Sequence, residues 1–166
     1  MKRFILSFII ALAAVSAFGQ DYRSIYQKYS DDERVTAVYI SPAMFKMIGK
    51  LPEVRIEDNG LDLAPMIKSM TGFYMLQTDD SSLAEKISKD VTRIVGGGKF
   101  ETLMEVKDKG QKVNILSLGD DNFLKSLLLT VFDKDKEESV FIGIDGLMRR
   151  TDVENAVATV GKDLYQ

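Results

Sequence analysis

Cysteine, histidine and tryptophan are absent from this chain, and proline occurs only three times in 166 residues. Each gap excludes something. Without cysteine no disulfide can staple the fold, so burial alone must hold it, and no cysteine is available for lipid attachment. Without histidine no side chain titrates near neutral pH unless its surroundings shift it substantially. The same two absences remove the ordinary serine and cysteine hydrolase machinery, and a zinc site would have to be all carboxylate. Neither Gly-x-Ser-x-Gly nor Ser-x-x-Lys occurs. Beyond the first residues, no apolar run approaches the ~20 residues that span a bilayer. The 22 Lys and Arg and the 25 Asp and Glu are mixed along the chain. The linear sequence therefore shows no basic patch for nucleic acid and no polybasic surface for lipid.

What is present begins with an export signal. Lys2 and Arg3 form a basic head, and Phe4 to Val15 is apolar apart from Ser7. Ala17 and Gly19 then place small residues just before a cut at Gln20. This is the pattern of a secretory signal peptide over residues 1–19. It predicts a periplasmic or secreted protein with no stable membrane anchor after cleavage. Residues 20–166 suit one domain with its own core, and no linker rich in Pro, Gly or Ser divides them. Loss of Lys2 and Arg3 makes the formal charge more negative than the −3 of the whole sequence.

Tyr22, Ile25, Tyr26 and Tyr29 make the apolar stripe of a first helix. Val35 to Ile40 is apolar on both faces and reads as a buried strand. Ser41-Pro42 opens a helix with Met44, Met47, Ile48 and Leu51 on its inner face, and Pro52 stops it. Residues 52–65 are the least regular part and hold the turn signal Glu57-Asp58-Asn59-Gly60. A short helix follows from Pro65 to Met70, and Gly72 to Thr78 reads as a strand. Ser82 with Glu85 fits a capping box for a helix whose stripe is Leu83, Ile87, Val91, Ile94 and Val95. Gly96-Gly97-Gly98 ends it. Strands are predicted at 100–107, 112–118, 123–132 and 140–145, with polar turns between them. The third also fits a helix through Phe123, Leu124, Leu127, Leu128, Val131 and Phe132; hairpin distance to the next strand favours β. Thr151 with Glu154 is a second capping box, opening a helix with Val153, Ala156, Val157, Val160 and Leu164 inside. This order predicts an α+β fold, with an antiparallel or mixed sheet of about six strands and helices packed on one face.

Few residues suggest chemistry. Gly96-Gly97-Gly98-Lys99 follows a helix and precedes a strand, the reverse of a phosphate loop, and reads as a helix terminus. Asp133-Lys134-Asp135-Lys136-Glu137-Glu138 spaces oxygens as calcium loops do. Glu138 stands where the sharp turn needs glycine, and Ile144 where a bidentate glutamate is needed, so a solvated hairpin tip is the better reading. Met44/Met47 and Met66/Met70/Met75 offer thioethers of the kind that bind Cu(I), yet their spacing follows the element periods and reads as core filling. A carboxylate pair suffices to cleave glycosides, but the sequence selects no pair among its acids. No catalytic, cofactor-binding or metal-ligating residue is assigned, and no cofactor is implied.

Three segments carry a family resemblance. Tyr26-Gln27-Lys28-Tyr29 and the run from Val35 to Phe45 resemble the opening of the DUF4252 family. Phe100 to Lys107 with Val113-Asn114-Ile115-Leu116 resembles its middle, and Val140 to Asp145 with Val153 resembles its end. The resemblance implies an exported bacterial protein of unassigned function, encoded near extracytoplasmic sigma factors and their regulators. That places it in the envelope, with a link to signalling, and assigns no catalytic residues. Some relatives are lipoproteins; this chain departs from them in lacking the cysteine. The resulting expectation is a noncatalytic envelope module, not an enzyme, that binds an envelope protein or small ligand and no nucleic acid. Residues 52–65 are the first place to seek its recognition surface. Two alternatives stay open. A hydrolase of envelope glycans needs two acids facing across a concave pocket. A carrier of a small apolar ligand or lipid needs a large apolar cavity between helices and sheet.

Overall fold

The computed structural model describes residues 22–48, 57–58, 61–62, 64–135 and 138–163. The export signal predicted at 1–19 lies outside the described residues, as do Leu51, Leu164 and most of 52–65. The chain runs α1 (Arg23–Tyr29), β1 (Thr36–Ile40), α2 (Pro42–Ile48), β2 (Glu57–Asp58), β3 (Leu61–Asp62) and α3 (Ala64–Ser69). It continues as β4 (Met70–Thr78), α4 (Ser81–Val95), β5 (Glu101–Asp108), β6 (Gln111–Gly119), β7 (Phe123–Asp133), β8 (Glu138–Arg149) and α5 (Arg150–Asp163).

Six strands form one sheet in the order β1-β4-β8-β7-β6-β5, and β2 and β3 form a separate hairpin. Every pairing in the large sheet is antiparallel. The class is therefore α+β, as the sequence predicted. The segment 123–132, which also fits a helix, is the strand β7. It pairs with β6 on one side and β8 on the other, so its run of apolar residues is that of a central strand covered on both faces. Between β5 and β6 the hairpin closes through Lys109 and Gly110, both with positive φ (40° and 87°). That is the backbone twist a two-residue turn needs to match its strands.

The core has two parts. Register places Tyr74, Leu76, Leu116, Leu128, Phe141 and Gly143 on one side of the sheet. There α1 and α4 add Tyr22, Ile25, Tyr29, Leu83, Ile87 and Val91 to a buried cluster. Leu127 and Ile144 point the other way. They join Leu124, Met148 and Val153 of α5, with Met66 of α3 packed alongside. The expectation of helices on one face therefore describes α1 and α4; α3 and α5 pack against the opposite side. The stripes of α1, α4 and α5 are legible in sequence, but alternation along a strand does not say which of its faces each helix will meet.

Four local readings are corrected. β1 is not buried: it ends the sheet, and Thr36 and Tyr39 are exposed. An apolar run on both faces does not separate an edge strand from a central one. On α2 the inward residue is Phe45, 7% exposed, whereas Met44 and Met47 are 49% and 66% exposed. A phase error of one residue turns a helix face by about 100°. The cap of α4 is Asp80, whose Oδ1 accepts from the Leu83 amide at 2.8 Å. Ser82 donates to that same carboxylate, and Glu85 pairs with Lys89. Finally, β8 runs directly into α5, so Thr151 lies within its first turn and not at its cap. The Arg150 amide donates to the carbonyl of Asn122 at 2.9 Å.

Candidate functional site

α1 has seven residues, too few to be a stable helix alone, so tertiary anchors must hold it. At its first turn Tyr22 lies against Gly143, where an added Cβ would come within 2.4 Å of the ring. The ring meets Tyr74 and Phe100 edge-on. Its hydroxyl donates to Oδ1 of the buried Asp145, which also accepts from Ser126 Oγ at 3.1 Å. Arg23 completes the anchor, with Nε and Nη2 at 2.8 and 2.7 Å from Asp145 Oδ2. The last turn repeats the device on α4. Asp90 Oδ2 accepts from Lys28 Nζ at 2.6 Å and from the Tyr29 hydroxyl at 2.8 Å. Arg93 reaches Oδ1 at 3.1 Å. The Lys28 ammonium holds the Asp90 carboxyl below the usual range, and burial, which acts the other way, does not overcome it. Burial in turn pushes the Tyr29 phenol up.

Between α1, the turn that follows it and α4 lies an open cleft of about 420 Å³. Leu83 and Tyr29 line its base. Lys28, Arg34, Lys86, Lys89 and Arg93 surround it, against two acids, Asp32 and Asp90. On α4, positions 86, 89 and 93 share one helix face at i, i+3 and i+7. Arg34 forks onto Asp32 through Nε (2.9 Å) and Nη2 (2.7 Å), with Nη1 at 3.3 Å from Asp80. That guanidinium holds the Asp32 carboxyl down to about 2. Lys89 pairs with Glu85 at 2.7 Å. The linear sequence shows charges mixed along its length; the fold brings these five cations around one opening.

The pairs differ in how readily they exchange. Lys89–Glu85 and Arg34–Asp32 are exposed, and water and salt screen such pairs so that they add little to stability. An incoming anion can take over their cations with little loss. Lys28 and Arg93 are tied to Asp90, whose side chain is 11% exposed, and they remain as fixed charge beside the opening.

Other candidates fall as follows. Gly96 to Gly98 form the turn after α4, with Gly98 at φ 75°, as a helix terminus requires. The acidic run at 133–138 is the β7–β8 hairpin, with Asp133 paired to Glu138 and its carboxylate accepting from the Asp135 amide. Lys136 and Glu137 are outside the described residues. No group of three or more acids that could hold a metal occurs among the described residues. Met66 packs in the second core cluster, while Met44 and Met47 face outward. Of the segment 52–65, the hairpin β2–β3 is described, with Asp58 opposite Leu61 across the predicted turn.

Asp79 and Glu138 line a second cleft with Arg34, Thr36 and Gln77, and Glu138 accepts from Gln77 at 2.7 Å. A glycosidase acid needs apolar walls to raise its pKa, and this lining is polar throughout. Every described carboxylate with a displaced pKa (Asp32, Asp80, Glu85, Asp90, Glu105, Asp120) is displaced downward. The cleft between α4 and strands β6 to β8 measures about 100 Å³, below the roughly 300 Å³ at which ligand pockets begin.

Sequence reasoning missed Asp90 and Asp145, yet both leave a signal. Asp90 falls inside the stripe of Leu83, Ile87, Val91 and Ile94. Asp145 continues the inward alternation of Phe141 and Gly143. An acid at an inward position predicts a buried partner.

These features define a small α+β domain: a six-stranded antiparallel sheet, a short first helix tied down by two aspartates, and a cation-lined cleft beside that helix. A family model described as a domain of unknown function, DUF4252, matches residues 29–156, and the chain belongs to that family. No curated protein and no solved structure matches the chain.

Proposed function

We propose that this protein is a noncatalytic binding module of the bacterial envelope and that its α1/α4 cleft receives an acidic segment of a partner protein. The observation that carries this reading is the lining: five cations against two acids, on a chain whose net charge is −3. Lys28 and Arg93 are paired with the part-buried Asp90, so an acidic segment would engage Lys86 together with Lys89 and Arg34, whose pairs with Glu85 and Asp32 are exposed. The export pattern at 1–19 supports an envelope location, and no described helix is long and apolar enough to cross a membrane. The polar lining around Asp79 and Glu138 favours binding over glycan hydrolysis. The small size of the cleft above the sheet favours it over lipid carriage.

A fluorescent poly-glutamate peptide is the probe. It should bind at low ionic strength, weaken as salt screens the cleft, and lose about tenfold or more in affinity in the Lys86→Glu/Lys89→Glu variant. Both positions are exposed and neither supports the core, so folding should be unchanged by circular dichroism. Failure of the unmodified protein to bind, or equal binding by the double variant, would overturn the reading.

A further inference from the structure

The two edges of the sheet differ in kind. β5 carries Glu101, Glu105, Lys107 and Asp108, and its register with β6 slips between Thr102 and Met104. Charges and irregular pairing are what keep an edge from joining another chain. β1 has neither. No charged residue occurs from Val35 to Phe45, and its register with β4 runs unbroken from Thr36↔Gln77 to Ile40↔Phe73. Among the described residues β4 is the only strand bonded to it, so its outer row of amides and carbonyls is a template for a further strand. Tyr39, at 49% exposed, flanks that edge.

We propose that β1 is an interface for a second copy of this chain, paired edge to edge and antiparallel about a twofold axis at Val38. The segment Thr36-Ala37-Val38-Tyr39-Ile40 is complementary to itself in that register. On the side shared with Tyr74 and Leu76, the axis sets Tyr39 of one copy opposite Ala37 of the other, large against small, twice by symmetry. On the other side Val38 meets Val38 and Thr36 meets Ile40, β-branched residues throughout, which pack well across paired strands. An uncharged strand brings no like charge against its own copy. The contact is isologous, so it closes after two copies and does not propagate. The two six-stranded sheets become one. A five-residue strand makes a small interface, which sets the dissociation constant at about micromolar or weaker.

Sedimentation of the full folded chain over roughly 10 μM to 1 mM should show a dimer growing with concentration. Tyr39→Lys should stay monomeric; because the Tyr39 ring also stacks on Tyr74 and meets Tyr26, its thermal midpoint should fall modestly while the far-ultraviolet circular dichroism stays that of the folded chain. Because the chain has no cysteine, Val38→Cys introduces a single thiol at the axis. Under mild oxidation it should form a covalent dimer about a hundredfold faster than Glu105→Cys on the opposite edge, since paired thiols see an effective concentration in the millimolar range. A chain that is monomeric at every concentration overturns the proposal. So does a dimer whose two cysteine variants cross-link at equal rates. Uptake of a synthetic Thr36–Ile40 peptide by a chain that stays monomeric assigns the edge to a foreign strand and also overturns it. If Tyr39→Lys fails to fold, the ratio of cross-linking rates decides.

Discussion

Tyr22 shows how much one side chain organises here. Its ring takes the space that a side chain at position 143 would fill, and its hydroxyl supplies a donor to Asp145. Glycine at 143 is required by close approach, because every L residue would drive a Cβ into the ring. Gly143→Ala should therefore destabilise the protein by about 1–3 kcal/mol, the usual effect of overpacking. It should also loosen Tyr22, seen as a weakened near-ultraviolet tyrosine signal before global unfolding in urea. An unchanged urea midpoint would mean that α1 is not docked as described. Asp145 answers to the same residue: it is a charge in the sheet made tolerable by the forked contact of Arg23 and by two hydroxyl donors. An acid placed inward is visible in the sequence as a break in the apolar alternation. Which residues satisfy it is not visible, because Arg23 and Tyr22 are more than a hundred positions away.

At the scale of elements, the readings that held are those where local chemistry is decisive. The Asp108-Lys109-Gly110 signal becomes the β5–β6 turn, and Leu83, Ile87 and Val91 of α4 all become core. That turn also contains a local conflict. Lys109 adopts φ 40°, a region disfavoured for a residue with an ordinary side chain and well suited to asparagine or glycine. Lys109→Asn should raise stability by about 0.5–1 kcal/mol, read as a higher urea midpoint with unchanged slope. The readings that failed are those needing a neighbour's position. β1 looked buried because it is apolar, but an edge strand between Val35 and the start of α2 has the same composition. The spacing of Met44, Met47 and Ile48 puts them on one face of α2, but the face that turns inward is that of Phe45. The capping boxes of α4 and α5 failed differently, since stronger partners stood nearby. Asp80 outcompetes Ser82 as a cap, and Asn122, brought in by the β6–β7 turn, bonds the Arg150 amide.

The whole molecule has a simple response to pH because it has no histidine. The carboxyls of Asp90 and Asp32 are depressed by Lys28 and Arg34. Their contributions are present above the ordinary carboxylate value of 3.8 and are lost as pH falls, for Asp32 through about 2. The loss should come mainly from Asp90, because the exposed Asp32 pair is screened by water. Lys28 is raised above 10.5 by Asp90, so its share is present below that value and lost at higher pH. The thermal midpoint should be flat between about pH 5 and 9 and fall on either side. A transition near pH 6 to 7 in calorimetry would contradict this assignment of groups. By itself the sequence determined the α+β class, the family, the six strands of the large sheet and most of the core-facing stripes, but not the β2–β3 hairpin. These follow from residue type and from spacing along one element. Only the tertiary structure decided which strand lies at the edge, which face each helix covers, and that cations from 28, 34, 86, 89 and 93 surround one opening. Those outcomes depend on pairing and packing between segments far apart in the chain, and no local periodicity records them.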